Sequence, residues 1–238
     1  MPWFLMVITI FVLYMFLIRL KIICFLLVFV NQKCAIWSQQ ETVVDPRNGK
    51  RLETVTIGTQ VWSTTNLDVE RFLNGDLISE AKTQEQWMEA NTKGQPAWCY
   101  FENNPSNGQK YGRLYNWFAV IDPRGLAPKG FRIPTDQDWG DLMATLGGDS
   151  IAGIKMKATE GWSNQGNGNN QAKFYGLPGG DRNSMGWFLF LGYYGGWWSA
   201  SEAVPGFPVR YYLDYGPTSL YRYVGNAQGG CSIRLIRN

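Results

Sequence analysis

Gly130-Phe131-Arg132-Ile133-Pro134-Thr135-Asp136-Gln137-Asp138-Trp139, continuing to Leu146, reads as a short strand, a proline stop and a capped helix. Thr135 is placed to cap the helix, and Asp138 stands three residues on, where a capping-box partner belongs. Asp136 and Asp138 put negative charge at the positive end of the helix dipole. Trp139, Leu142, Met143 and Leu146 recur at the spacing of one helical face, and Gly147-Gly148 ends the run.

Outward from this unit, the signals separate by type along the chain. Upstream, Leu52 to Ile57 and Gln60 to Ser63 flank Gly58-Thr59, a two-residue hairpin turn. Thr42 to Val44 reads as an edge strand before the Asp45–Gly49 turn cluster. Thr83 and Gln86 form a second capping box, opening a helix that carries Trp87. Ala97 to Phe101 reads as a buried strand and Glu102 to Gly108 as a polar loop. Leu114, Trp117, Phe118 and Ile121 have helical spacing, and Asp122-Pro123 stops them. After a further helical turn or two at 150–157, residues 161–238 carry only turns and short aromatic strands. In the last of these, Cys231, Ile233 and Leu235 share a face. Helices early and a sheet completed late predict an α+β fold with a loop-rich, twisted antiparallel sheet closed by the C-terminal strands.

The 238 residues suffice for one good core. Aromatics make up 15% and charged residues 17%, which suits a loop-rich extracellular domain. Histidine is absent, which removes His-based triads, His general bases and His-containing metal sites. The net charge of +3 comes from Arg19, Lys21 and Lys33, since the first 40 residues hold no acid and the rest is neutral. No basic stripe follows a phosphate backbone, so nucleic acid is not an expected partner.

Residues 1–38 read as a signal peptide or membrane leader. In one reading, residues 3 to 30 form a single membrane span burying Arg19 and Lys21, at about 2.5–3.5 kcal/mol each. In the favoured reading, translation starts at Met15. Arg19 and Lys21 then form the charged region, 22–30 the apolar region, and cleavage follows Ser38. Residues 39–54 are then an N-terminal extension with a first strand, and 55–238 the main domain. The expected location is outside the cell or in its envelope (periplasm, outer membrane or surface). Cys99 and Cys231 could there form one disulfide or remain two buried thiols.

The order Ile57-Gly58-Thr59-Gln60-Val61-Trp62, Asn66-Leu67, Tyr111-Gly112-Arg113-Leu114-Tyr115-Asn116-Trp117 resembles the Fibrobacter succinogenes major paralogous domain (FISUMP) family. So do Pro128 to Asp136, Leu177-Pro178-Gly179-Gly180 and Trp197-Trp198-Ser199-Ala200-Ser201. The match is collinear from about Val55 to the C-terminus. That family is common in secreted and surface proteins and has no assigned activity. Residues 133–139 and the terminal Ser232-Ile233-Arg234-Leu235-Ile236-Arg237 also resemble the sulfatase-modifying, formylglycine-generating family. This resemblance implies a C-type-lectin-like fold, though fold does not carry function with it. Many relatives have cysteines where this chain has Ala127 and Leu235. The resemblance implies that they pair there, and that Ala127 and Leu235 meet in the core here. It also sets Cys231 where relatives usually carry an aromatic or apolar residue, which weighs against a Cys99–Cys231 bridge.

The residues offer several candidate sites. An oxidase of the formylglycine-generating type needs two close cysteines near the C-terminus, and only Cys231 is there. Asp136, Asp138 and Asp141 form a carboxylate cluster, of which capping explains two members. Glu102–Asn107 has the oxygen ligands that suit calcium, but reads more simply as an Asn/Pro turn. The most attractive ligand-binding residues are Trp162 with Asn164, Asn167 and Asn169, an aromatic face beside amides of the kind that grips sugars. Trp187 and Tyr194, in the later glycine-rich aromatic run, complete the set. No catalytic residue, cofactor or metal is expected. The sequence therefore predicts a non-catalytic recognition module for a glycan or surface protein. The second reading is an accessory subunit of an outer-membrane or surface complex, and a formylglycine-generating-type oxidase ranks last.

Overall fold

The computed structural model of the protein describes residues 43–216 and 218–238. The leader, its start and cleavage site, residues 39–42 of the extension, and Cys24 and Cys34 lie outside the described residues.

Local chemistry sets the helix starts. Helix α1 (Gln84–Thr92) opens on the Thr83–Gln86 capping box and α4 (Asp136–Thr145) on the Thr135–Asp138 box, as their sequences predict. Helix α5 (Asp149–Met156) follows at once. Two helices differ from expectation. The supposed polar loop at 102–108 contains α2 (Pro105–Tyr111), with Asn104 as its cap and Pro105 in its first turn. It lacks an apolar stripe because its inward residue is Gly108, where a Cβ would fall 2.2 Å from the Tyr100 ring. Leu114 belongs to a strand rather than a helix. Asn116 ends that strand and caps the single turn α3 (Trp117–Val120) by accepting from the Ala119 N–H.

The strands form four sheets. Strands β1 (Val43–Val44) and β2 (Arg51–Leu52) make a small hairpin. A four-stranded sheet runs in the order β3 (Thr54–Ile57), β4 (Gln60–Ser63), β15 (Ile236–Arg237), β8 (Phe131–Arg132). A six-stranded sheet runs β10 (Phe188–Leu189), β9 (Asp181–Arg182), β14 (Gly230–Cys231), β7 (Leu114–Asn116), β6 (Ala97–Cys99), β5 (Ser79–Glu80). The third large piece is β11 (Tyr194–Val204), β12 (Phe207–Asp214) and β13 (Tyr221–Val224). Among the described strands, β5 and β6 are the one parallel pair, apart from isolated parallel bridges such as Trp197 to Ser232. The described helices all precede residue 157, and the chain end inserts a strand into the middle of two sheets, so the fold is α+β. The expected single terminal strand is instead two short ones, β14 and β15. Even so, Cys231, Ile233 and Leu235 enter one core cluster, which Ala127 also contacts, while Ile236 enters another.

Aromatic packing fills the core under α4. Trp139 stacks on Tyr211 at 5.1 Å and 14°, and lies 4.8 Å from Trp62 and 6.0 Å from Phe174. Phe174 meets Trp197 edge-on at 5.5 Å. Such pairs add about 0.5–1.5 kcal/mol each beyond their burial.

Segment 218–220 docks on α5 through Ile154 N–H to the Thr218 carbonyl and Leu220 N–H to the Asp149 carbonyl. A Cβ on Gly153 would stand 2.4 Å from the carbonyl oxygens of both Thr218 and Ser219. In a free helix Gly→Ala stabilises by about 1 kcal/mol. Here Gly153→Ala is expected to reverse the sign and cost about 1–3 kcal/mol by overpacking. Urea midpoints of the two proteins check this.

Candidate functional site: a polar cleft beside Tyr175

Three loops that a strand order alone would not bring together meet around one buried cation. Arg234 lies between β14 and β15 and is 1% exposed. Its Nε donates to Asn66 Oδ1 at 2.7 Å. Its Nη1 donates to the Ser63 and Phe174 carbonyls, both at 2.7 Å, and its Nη2 to the Tyr175 carbonyl at 3.0 Å. The guanidinium sits 4.3 Å from the Phe174 ring centroid. Among the described residues no carboxylate lies within ion-pair distance of it. Burial pushes its pKa down to about 9, which leaves it charged at neutral pH.

Asn66 is the opposite jaw. Its Oδ1 also accepts from the Trp197 indole at 2.8 Å, and its Nδ2 donates to the Tyr111 carbonyl at 2.7 Å. Gly112, at φ 74°, permits this approach, since a Cβ there would lie 3.0 Å from that of Asn66.

These groups bound a cleft of about 700 Å³ between the β1–β2 turn, segment 64–68, the end of α2, and Tyr175 with Leu177. The β1–β2 turn is pinned in place. Asn48 Nδ2 donates to the Asp68 carbonyl at 2.8 Å, Lys50 pairs with Asp68, and Arg47 Nη1 donates to the Arg71 carbonyl at 3.1 Å. Tyr175 has a left-handed backbone, φ 54°, which costs a bulky residue roughly 1–3 kcal/mol. Both its peptide groups are held: its N–H donates to Asn170 Oδ1 at 2.9 Å, and its carbonyl accepts from Arg234. The residue is left 46% exposed and lines the cleft. The lining sets an aromatic residue beside amides and cations.

None of the six residues favoured from sequence lines this cleft. Trp162 is a core residue, 5% exposed, whose indole donates to the Gly176 carbonyl at 3.0 Å, with Lys157 Nζ 5.2 Å from its ring. Its face is therefore not offered to a ligand. Asn167 and Asn169 are exposed, but their Oδ1 atoms fold the loop by accepting from the Trp162 and Gln171 N–H groups. Asn164 is exposed in a left-handed turn. Trp187 is 54% exposed at the turn before β10. Tyr194 stacks on Tyr212 at 4.9 Å and buries its hydroxyl. The loop singled out from sequence, 162–171, does not line the cleft; Tyr175, which follows it, does. A positive φ at a tyrosine leaves no mark in the sequence.

The acidic candidates are structural. Asp136 takes two hydrogen bonds from Arg222, at 2.8 and 2.9 Å, and one from the Tyr211 hydroxyl at 2.7 Å. These, led by Arg222, hold its carboxyl below the usual range. Asp138 serves the capping box and Arg132, and Asp141 accepts from Gln137. In the 102–107 segment, Asn104 caps α2, and the Asn103 and Asn107 amides donate to the Lys82 and Phe101 carbonyls.

Cys99 and Cys231 are free, buried thiols, so the disulfide alternative is not realised. Cys231 pairs across to Tyr115, and Tyr115 to Trp98, the neighbour of Cys99. The two cysteines thus lie two strands apart, about 10 Å at ordinary strand spacing, beyond the 7 Å or so that a disulfide spans. Burial pushes both thiols up to about 11, so neither is a nucleophile at neutral pH. Beside Cys231, Arg210 reaches Sγ at 3.5 Å and Asp181 Oδ2 at 3.5 Å. Asp181 Oδ1, Arg210 Nε and the Tyr194 hydroxyl are buried there without partners. Burial raises Asp181 to about 6, against a weaker pull from Arg210.

A family model described as the Fibrobacter succinogenes major domain matches residues 55–237. No curated protein and no solved structure matches the chain.

Two outcomes are expected. Arg234→Met strips three carbonyls of their charged donor and should cost about 3–5 kcal/mol in urea unfolding. Asp181 gives a pH signature. Folded, it keeps its proton up to about 6, whereas the unfolded chain releases it near 3.8. Stability should therefore fall as pH rises between those values, by up to about 3 kcal/mol. Unfolding measured at a series of pH values should show that fall in the wild type and not in Asp181→Asn.

Proposed function

The chain belongs to the Fibrobacter succinogenes major domain family, and from that premise we propose that it is a non-catalytic recognition module. It is exported to the cell envelope or beyond, and its cleft beside Tyr175 takes a glycan. The observation that carries this reading is the strained, half-exposed Tyr175 ring at the cleft wall, clamped by Asn170 and Arg234. Strain of this kind is retained where the surroundings over-determine it, often at ligand clamps. A sugar presents C–H faces to an aromatic ring and hydroxyls to amides and cations, and the cleft offers both partners. The lack of histidine and the buried, protonated thiols support a binding role over an oxidase. Export is supported by the leader-like sequence of residues 1–38.

In its finer detail we read the fold as C-type-lectin-like. Support comes from the helices preceding the late sheet, and from the resemblance of residues 133–139 and 232–237 to the formylglycine-generating family. The second reading is an accessory subunit of an outer-membrane or surface complex, with a surface protein as partner. It is favoured by the apolar side chains exposed on the β11–β13 sheet and its hairpin, among them Val204, Phe207, Tyr223 and Val224.

Tyr175→Gly tests the first reading cleanly. Glycine keeps the left-handed backbone without strain, so stability should hold or rise. In a glycan-array screen followed by titration calorimetry, affinity should fall about tenfold, or ~1.4 kcal/mol. Unchanged binding in the variant would move the site elsewhere. Absence of any glycan binding, with stoichiometric envelope proteins co-purifying, would favour the accessory subunit.

A further inference from the structure

We infer that the cleft selects an acidic glycan, one bearing carboxylates as uronic acids do. This rests on the reading of the cleft as a glycan site and adds the charge of its ligand.

From residue 41 onward the chain carries 19 cations and 19 acids. The cleft does not share this balance. Lys50, Arg51, Lys110 and Arg234 line it, against Asp45 and Asp68. An adjoining pocket of about 360 Å³ shares Asn48, Lys50 and Asp68 with it, and adds Arg47, Arg71 and Arg113 against Glu70. The joined groove therefore holds seven cations and three acids, in a domain whose remaining surface is correspondingly acidic.

Pairing sharpens the imbalance. Asp45 is taken by Arg47, Asp68 by Lys50 and Arg113, and Glu70 by Arg113. Arg51 finds Glu53 outside the groove. Among the described residues, Arg71, Lys110 and Arg234 have no carboxylate within ion-pair distance. Arg71 spends one N–H on the Gly75 carbonyl, and Lys110 rests 5.1 Å from the Tyr111 ring centroid. Arg234 is the telling member: a buried guanidinium held by neutral carbonyls and an amide. An unneutralised cation of this kind is costly to bury, and an incoming carboxylate would offset that cost. A concave, low-dielectric site also concentrates the field of its charges on whatever enters.

The groove suits a sugar acid better than a polyphosphate. Its three acids are interleaved with the cations and would repel a continuous run of phosphates. The Tyr175 ring supplies the apolar face that a pyranose uses.

The test is titration calorimetry of the full chain with an oligogalacturonide and with a neutral galacto-oligosaccharide of equal length. Both are run at low salt and at about 0.5 M salt, where the screening length shrinks to a few ångströms. The uronate is expected to bind at least about tenfold more tightly at low salt. High salt should shrink that advantage, and Lys110→Glu should remove most of it without changing the melting temperature. Equal affinity for the two sugars would overturn the charge proposal while leaving the cleft as a glycan site. A poly-glutamate peptide binding as tightly as the uronate would overturn the ligand class. Binding of neither sugar would remove both this proposal and the glycan reading it rests on.

Discussion

The Arg234 guanidinium is the joint on which the structure turns. It is a full charge with no counter-charge, and four oxygens satisfy it: the Ser63, Phe174 and Tyr175 carbonyls and the Asn66 amide. Those oxygens come from two segments more than 100 residues apart in the sequence. Each needs the cation, because a buried carbonyl without a donor is expensive. The cation in turn needs all of them, because no acid is at hand. The Phe174 and Trp197 rings then close over it and continue into the Trp62–Trp139–Tyr211 stack. Core and cleft are therefore one construction, with the same residue bracing both.

This arrangement explains how a tyrosine can stand in a left-handed backbone. Nothing local favours that conformation at Tyr175. It persists because Asn170 holds the N–H and Arg234 the carbonyl, so relaxing the turn would break two part-buried hydrogen bonds. Much of the Asn/Gly loop before it is likewise bookkeeping for the backbone. Asn167, Asn169 and Asn170 spend their side-chain oxygens on main-chain N–H groups. Of these amides, Asn170 is the one that holds Tyr175 in place.

Much of the fold was legible in residue order. The two capping boxes, the Gly58-Thr59 hairpin and the α5 helix depend on groups within four residues of each other, and all appear where the sequence puts them. The alternation of Cys231, Ile233 and Leu235 also survives, because period two decides which core they enter even where the strand itself breaks. The misreadings share one cause. Helix α2 was hidden because its inward face is a glycine against Tyr100, and Leu114 was drawn into a helix that its neighbour Asn116 in fact begins. In both places a contact or cap outranked the periodicity of apolar residues.

The sequence alone determined the family, the α+β order of elements, the neutral charge balance from residue 41 onward and the absence of histidine chemistry. These follow from composition and from short-range spacing. Tertiary structure alone decided which aromatics are buried and which are offered. It turned Trp162 inward and Tyr175 outward, kept Cys99 and Cys231 two strands apart, and gathered seven cations of a segment that is neutral from residue 41 onward around two adjoining pockets. The physical reason is that exposure and charge clustering are properties of neighbours in space. Those neighbours are supplied here by distant segments that Arg234 helps to tie together.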